Sequence, residues 1–297
     1  MRLYTLDGMR TDRLLPGTAL LVLSCCSCSF PADDQTGSLP EPKEVGRLPA
    51  RHIPESSGLV KSPAHANVFW TLNDSGNPAQ LYAIKPTGEL LRIVGLVAEN
   101  LDWEALTADE KGRLIAADIG DNHHVRPEVQ LYRCAEPDPN VRPTAPLAVE
   151  TFRFAFPKKP GPCDVEAIVA RAGHAYIFTK ERDGTRAFRL PLPEKPPKSC
   201  VVLQPCGGTK FLNRVTDASL STDGRALAIL SLSKVMVIQW PKPLEEHTGA
   251  DGKPRLFEGK VRTRAIRLGQ AEAIAWDGVD LLITTEQEKV FRIKKAR

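Results

Sequence analysis

The sequence has few aromatic residues and little net charge. Phe, Trp and Tyr number 10, 4 and 4 in 297 residues, which leaves little material for the stacking platforms of carbohydrate subsites. The formal charge is +4. It falls to +3 without residues 1–24, where three Arg and two Asp lie. A balance this close to neutral argues against a nucleic-acid-binding surface.

The chain also lacks the motifs of several enzyme classes. It has no Gly-rich phosphate loop, no dinucleotide-binding fingerprint, no zinc-site spacing, and no Gly-x-Ser-x-Gly elbow around Ser75. No capped amphipathic pattern of ten or more residues is present, so helices should be few. No long apolar run follows residue 28.

Residues 1–28 predict an export signal. Three arginines precede a short apolar stretch, 14–23, which falls below the roughly 20 residues of a spanning helix. Val22-Leu-Ser-Cys25 resembles a lipobox, in which Cys25 would be acylated, and ordinary cleavage is the alternative. Residues 29–44 are rich in Pro, Asp, Gly and Ser and predict a flexible linker. We expect an exported protein, either secreted or held in the periplasm or at the outer membrane by the lipid anchor alone.

One short acidic phrase occurs five times after residue 50. The first residues of the phrases lie 47, 62, 53 and 53 positions apart, and a second polar cluster follows each phrase at a nearly constant distance. Repeats of about 40–50 residues that carry several strands each are typical of a β-propeller. The phrases are Glu55–Leu59, Asp102–Leu106, Asp164–Ile168, Asp217–Ser221 and Gln270–Ile274; the second clusters are at 73–76, 118–122, 180–183, 231–234 and 286–288.

Each repeat contains short runs of β-branched and aromatic residues bounded by Gly, Pro, Asn and Asp, which indicates strands. The fifth repeat reaches Arg297 without an outer strand, and Glu44–Ile53 can supply it. We therefore predict an all-β fold: a single β-propeller over residues 45–297, with five blades, closed by an N-terminal strand. Six blades would require a degenerate unit within 102–164.

In a propeller the inner strand of every blade lines the central channel, so the acidic phrases should converge at one mouth. Their carboxylates would repel one another unless a cation, basic partners or raised pKa values offset the charge. Ca²⁺, which takes about six to eight oxygen ligands, is the natural cation. Alternatively, the carboxylates are structural and accept hydrogen bonds from backbone N–H groups of the next blade. The predicted ligands are Glu55, Asp74, Asp102, Glu104, Asp118, Asp121, Asn122, Asp164, Glu166, Glu272 and Glu286.

The densest polar motif is Asp118–Asn122, followed by His123, His124 and Arg126. Either histidine could act as a general base near neutral pH, and Arg126 could hold a phosphate or carboxylate group. These three residues are the catalytic candidates. The alternative is an ordinary solvent-facing loop.

Four cysteines lie in the predicted propeller, at 134, 163, 200 and 206. An even number in an exported protein allows two disulfides. Cys200 and Cys206, close in sequence, are the first candidate pair, and buried free thiols are the alternative.

The phrases resemble those of exported bacterial propellers related to the SdiA-regulated family: a Glu-x-Ser-Gly-Leu opening, an Asn-Asp-Ser-Gly turn and an Asp-x-Glu-Ala-Ile phrase. More distantly the pattern is similar to calcium-dependent propellers of the phytase-like and gluconolactonase-like group. That resemblance implies an acidic channel mouth and often a bound Ca²⁺. On this chain the role would fall to Glu55, Asp102, Glu104, Asp164, Glu166 and Glu272. The fourth repeat departs from the pattern, because Asp217-Ala-Ser219 lacks the second carboxylate.

Three functions fit these observations. The first is a binding or scaffold module at the cell envelope, monomeric, with an unidentified small-molecule or envelope-protein ligand and no nucleic acid. The second is a Ca²⁺-dependent hydrolase of phosphate esters or lactones that uses the channel carboxylates. The third, a carbohydrate-active enzyme with paired carboxylates, is disfavoured by the low aromatic content.

Overall fold

A computed structural model of the protein describes residues 37–297. The predicted export signal, the lipidation candidate Cys25 and residues 29–36 of the predicted linker lie outside the described residues. Within 37–297 the only helix is a single 3₁₀ turn, Leu244–Glu246. No helix in this range is long and apolar enough to cross a membrane.

Residues 37–297 form 22 strands in five sheets, which confirms the predicted all-β fold and the count of five blades. The strands are β1 (Gly37–Ser38), β2 (Lys43–Arg47), β3 (Ser56–Lys61), β4 (Phe69–Asn73), β5 (Gln80–Ile84), β6 (Leu90–Gly95), β7 (Trp103–Ala108), β8 (Leu114–Asp118), β9 (Val129–Cys134), β10 (Glu150–Ala155), β11 (Val165–Arg171), β12 (His174–Thr179), β13 (Thr185–Pro191), β14 (Val201–Val202), β15 (Gln204–Thr209), β16 (Val215–Leu220), β17 (Ala226–Ser231), β18 (Lys234–Gln239), β19 (Lys260–Ala265), β20 (Ala271–Asp277), β21 (Asp280–Thr285) and β22 (Lys289–Ile293).

Every blade is a four-stranded antiparallel meander, and two blades gain a short parallel strand at the outer edge. Blade 1 is β3–β6 and blade 2 is β7–β10 with β14 added. Blade 3 is β11, β12, β13 and β15, and blade 4 is β16–β19 with β1 added. Blade 5 is β20–β22 with β2. The innermost strands, β3, β7, β11, β16 and β20, contact one another in a ring.

The N-terminal strand closes the ring, as predicted. β2 pairs antiparallel with β22, so it supplies the outer strand that the C-terminal repeat lacks. The chain packs against the blades even earlier, because β1 pairs with β19 and the side chain of Leu39 is fully buried. Residues 37–39, which lie in the segment predicted as a linker, therefore contact blade 4.

The hydrophobic core of the described residues is divided into five clusters, and each lies between two neighbouring blades. Trp103, for example, is fully buried with residues of blades 1 and 2, and its indole N–H donates to the carbonyl of Glu99 at 2.9 Å. Strands buried on both faces explain the near-continuous apolar runs of β17 and β21. Stability thus depends on the packing of neighbouring blades.

The predicted Cys200–Cys206 disulfide is not formed. All four cysteines of residues 37–297 are free thiols, and Cys200 is the only one that is not buried. The chain crosses between blades within this short segment. Strand β14, which follows Cys200, pairs with β10 of blade 2, whereas Cys206 lies in β15, a strand that pairs with β13 of blade 3. The two thiols are therefore held in different blades.

Gly46 provides a test of ring closure. A Cβ atom at this position would lie 1.9 Å from the backbone oxygen of Thr87 in blade 1. Gly46→Ala should therefore force β2 away from its neighbours and lower the free energy of unfolding by about 1–3 kcal/mol. The measurement is denaturant unfolding of the purified protein.

Gly95→Ala is the matched control, because a Cβ on this β6 glycine would meet Pro146 at an ordinary 3.6 Å. That variant should stay within about 0.5 kcal/mol of the parent. Equal effects of the two substitutions would contradict a tight closure contact at Gly46.

Candidate functional site

All five inner strands have a β-bulge near their first residue. The register of pairing with the second strand of the blade skips one residue there, and a bulge re-aims the side chain of the extra residue. Four of the five bulged residues line a cavity at the end of the ring where the inner strands begin. The bulged residues, in blade order, are Ser57, Glu104, Glu166, Thr216 and Glu272.

A backbone hydrogen bond that recurs in all five blades defines a second equivalent position in each repeat. The N–H that follows each second strand donates to the carbonyl of the residue that opens the blade's phrase. The donor–acceptor pairs are Asp74 to Glu55, Ile119 to Asp102, Lys180 to Asp164, Leu232 to Arg214 and Glu286 to Gln270.

These bonds correct the alignment of the fourth phrase. Arg214 opens blade 4, and Asp217 lies three residues further along, at the position of Gly58 and Ala105. The sequence pattern placed Asp217 first in its phrase because the other phrases begin with an acidic or amide residue. The β-bulge and the backbone hydrogen bond show that Arg214 occupies this first position. Blade 4 therefore contributes no carboxylate to the cavity.

The cavity has a volume of about 100 Å³, which is room for an ion and a few water molecules. We call it the acidic mouth. Six carboxylates and one ammonium group line it, so its ordinary charge is strongly negative. The lining residues are Glu55, Ser56, Ser57, Asp74, Glu104, Asn122, Glu166, Lys180, Gln270, Glu272 and Glu286.

Asp74, Asp102 and Glu104 bring one carboxylate oxygen each to within 4.8 Å of one another. Ca²⁺–oxygen distances are about 2.3–2.6 Å, so oxygens on opposite sides of one ion lie about 5 Å apart. The three oxygens can therefore share one ion. Gly120 makes room for them, because a Cβ at that position would lie 2.4 Å from Asp102 Oδ2 and 2.6 Å from Glu104 Oε1.

Burial and mutual repulsion perturb the carboxylates of the acidic mouth. Burial raises the pKa of Glu272 to about 8, with Glu166 adding to the effect. Burial raises the pKa of Glu166 to about 7, although the Lys180 ammonium, 2.6 Å away, opposes the rise. The pKa of Glu104 lies well above its ordinary value because of burial and the charges of Glu166 and Asp74. In the absence of a bound cation, these buried glutamates therefore hold their protons to a higher pH than an exposed glutamate does.

Three of the predicted ligands make structural hydrogen bonds. Asp118 is fully buried, forms an ion pair with Arg126 at 2.8 Å and accepts the Asp102 N–H. Asp121 accepts the N–H groups of Val125 and Arg126, and its own N–H donates to Asp164. The Asp118–Asn122 motif thus mainly holds its own loop and links blades 2 and 3.

The catalytic candidates do not meet at the acidic mouth. His123 and His124 are exposed and are not among its lining residues, and Arg126 neutralises Asp118. Asn122, next to them, does line the cavity. Lys180 lines the cavity but was not among the site residues predicted from the sequence. The available signal was its place in the second polar cluster, equivalent to that of Asp74 and Glu286.

Asp217 is a structural carboxylate. It is fully buried in β16, and its oxygens accept the N–H groups of Ala218 and of Ile274 in blade 5, both at 2.8 Å. Burial keeps the pKa of Asp217 well above the ordinary value despite these bonds. The Asp217 side chain therefore links the inner strands of blades 4 and 5.

No protein-family model matches the chain, and no match was found among curated proteins. Similar solved structures include Myxococcus xanthus glutaminyl cyclase, at 11% identity over 87% of this chain and 97% of that chain, with a TM-score of 0.49. A glucose dehydrogenase has 10% identity, 86% and 99% coverage and a TM-score of 0.48. The PQQ-bound aldose sugar dehydrogenase of Streptomyces coelicolor has 8% identity, 87% and 99% coverage and a TM-score of 0.46. We draw no functional conclusion from these likenesses, and membership of the SdiA-regulated family stays a prediction.

The raised carboxylate pKa values predict how stability depends on pH without metal. Between the ordinary glutamate value of 4.5 and about 7–8, Glu166 and Glu272 keep protons that the unfolded chain has lost. The folded state binds more protons there, so stability falls as pH rises through this window. In EDTA the melting temperature should be several degrees lower at pH 8 than at pH 5.5.

Glu272→Gln should flatten this dependence, because the amide cannot ionise. Glu89→Gln, which changes an exposed glutamate on a turn, is the matched control and should keep the parental slope. A melting temperature that rises from pH 5.5 to pH 8 in EDTA would contradict the prediction.

Proposed function

We propose that the protein is a Ca²⁺-binding propeller that acts as an exported binding module, with its ligand site at the acidic mouth. The observation that supports this most directly is the convergence of Asp74, Asp102 and Glu104 oxygens within 4.8 Å. Asp74 follows the second strand of blade 1, whereas Asp102 and Glu104 open blade 2. All three offer only hard oxygen donors, which Ca²⁺ prefers.

Charge balance supports the same proposal. Six carboxylates line the acidic mouth against the single ammonium group of Lys180, a net formal charge of −5 when all are ionised. A divalent ion would lower that charge and offset the burial and repulsion that raise the carboxylate pKa values. The hydroxyl of Ser57, which donates to Glu104 Oε2 at 3.1 Å, and the amide of Asn122 would complete an oxygen-rich environment.

A binding role fits this geometry better than hydrolysis. The candidate general bases His123 and His124 are exposed and do not line the cavity. Arg126, the candidate anion clamp, is held by Asp118 and the carbonyl of Gly120. We therefore propose that Ca²⁺ stabilises the mouth and presents a charged surface to an envelope ligand.

A Ca²⁺ titration tests the proposal. At about 100 times the Kd, Ca²⁺ should stabilise the folded protein by about 2.7 kcal/mol relative to EDTA, a rise of several degrees in Tm. Asp102→Asn keeps the side-chain volume but removes the charge, and it should abolish most of the rise. The measurement is thermal unfolding at pH 7.5 with EDTA or millimolar Ca²⁺.

Asp183→Asn is the matched control, since Asp183 is exposed on the β12–β13 turn and is not a residue of the cavity. It should retain the full Ca²⁺ response. A parental protein whose Tm ignores Ca²⁺, or an Asp102→Asn variant with an undiminished response, would refute Ca²⁺ binding at this cluster.

Export and anchoring rest on residues 1–28. We propose that Cys25 is acylated after cleavage of the signal, which would place the propeller at the cell envelope. When the full chain is expressed in bacteria with an alkyne fatty acid, the protein should be labelled, and Cys25→Ser should lose the label. Cys26→Ser should keep it. An exported but unlabelled parental chain would show ordinary secretion instead.

A further inference from the structure

Lys180 is a basic residue at a position that is acidic in two other blades. It follows the second strand of blade 3, where blades 1 and 5 carry Asp74 and Glu286, and its backbone N–H makes the same bond, to Asp164. Within residues 37–297 it is the only basic side chain that lines the acidic mouth. The equivalent residues of blades 2 and 4 are Ile119 and Leu232, so blade 3 is the one blade with a basic residue at this position.

The ammonium group of Lys180 binds the carboxylate of Glu166. Nζ lies 2.6 Å from Glu166 Oε1, and the Glu166 side chain is 2% exposed. The charges of Glu272 and Glu104 also favour the ammonium form, which outweighs the cost of burying it. Lys180 therefore acts as a counter-ion to the bulged glutamates.

Glu272 is left without a partner. Its residue is 8% exposed and lines the cavity, yet among the described residues its carboxylate makes no hydrogen bond or ion pair. A buried carboxylate without partners is costly unless a cation lies close to it. The carboxylates of Glu272 and Glu166 are potential ligands of a cation, and the ammonium group of Lys180 now provides the positive charge beside Glu166.

The acidic mouth therefore has two sides. The side of blades 1 and 2 carries Asp74 and Glu104, and Asp102 lies next to them outside the cavity lining; these three carboxylates have no lysine or arginine ion pair in the described residues. The side of blades 3 and 5 carries Glu166 and Glu272 with Lys180. An ammonium group and a divalent ion cannot both bind Glu166 on the second side, because Lys180 Nζ, 2.6 Å from Glu166 Oε1, already lies where an ion bound to that oxygen would lie.

We propose that Lys180 determines the stoichiometry of the acidic mouth: its ammonium group occupies a cation position beside Glu166 and Glu272, so that one divalent ion binds instead of two. The one-ion arrangement rests on the proposed function, with the ion held by Asp74, Asp102 and Glu104. The exclusion of a second ion depends on Lys180 itself. Its removal frees Glu166 to join Glu272 as ligands.

Isothermal titration of the purified protein with Ca²⁺ tests this inference. The parental chain should bind one ion, and Lys180→Met should bind two, because Met keeps a long side chain without the charge. Lys180→Arg retains the charge and should bind one. Lys85→Met, which removes an exposed lysine paired with Glu89, is the control for loss of a surface charge and should also bind one.

The decisive quantity is the difference between Lys180→Met and the parental protein. If Lys180→Met binds one ion more than the parental protein, the inference is supported. If in addition the parental protein binds no ion, the proposed Ca²⁺ function fails but the inference about Lys180 stands. Equal stoichiometry overturns the inference whatever the parental number is.

Folding of the variant gives a second measurement. In EDTA, Lys180→Met should melt several degrees lower than the parental protein, and a second substitution, Glu166→Gln, should recover most of the loss. Ca²⁺ should also restore the single variant. If Lys180→Met stayed unfolded in Ca²⁺ while the double variant folded, a metal ion could not replace the ammonium group, and the inference would be wrong.

Discussion

Closure of the five inner strands into one ring is the constraint on which the rest of the structure depends. Once β20 contacts β3 and β2 completes blade 5, all five inner strands begin at the same end of the ring. Polar residues from distant parts of the sequence are then brought together: the hydroxyls of Ser56 and Thr284, 228 positions apart, lie 2.8 Å from each other. Because four of the five repeats contribute acidic residues at the same end of the ring, negative charge is concentrated there.

The fold manages this charge in three ways. Asp118 and Asp217 are turned into the structure and bind Arg126 or backbone N–H groups. Glu166 is neutralised by Lys180. Asp74, Asp102 and Glu104 have no lysine or arginine ion pair among residues 37–297, and they are the residues close enough to share an ion. Structural carboxylates and candidate ligands therefore coexist, as different members of one repeated motif.

The sequence indicated more of the fold than of the site. Alternating strands, turn residues and the missing outer strand of the last repeat were enough to predict five blades and closure by residues 44–53. The fourth phrase shows the limit: Asp217 matched the motif by residue type, but the register is set by a bulge and by the bond from Leu232 to Arg214. Cys200 and Cys206 show it again, because proximity in sequence did not reveal that the chain changes blades between them.

What the sequence determined by itself is therefore periodic: strand-forming runs, the spacing of repeats, and carboxylates that recur where the inner strands begin. Each of these features depends on residues that are close together in the sequence, so it can be recognised without the tertiary structure. Only the tertiary structure decided which carboxylates face the cavity, because a side chain's direction depends on bulges and on partners from other blades. It placed Asp118 inside and Glu272 at the cavity, left His123 and His124 in solvent, and put Lys180 beside Glu166. Charge balance at the mouth is a property of residues brought together by ring closure.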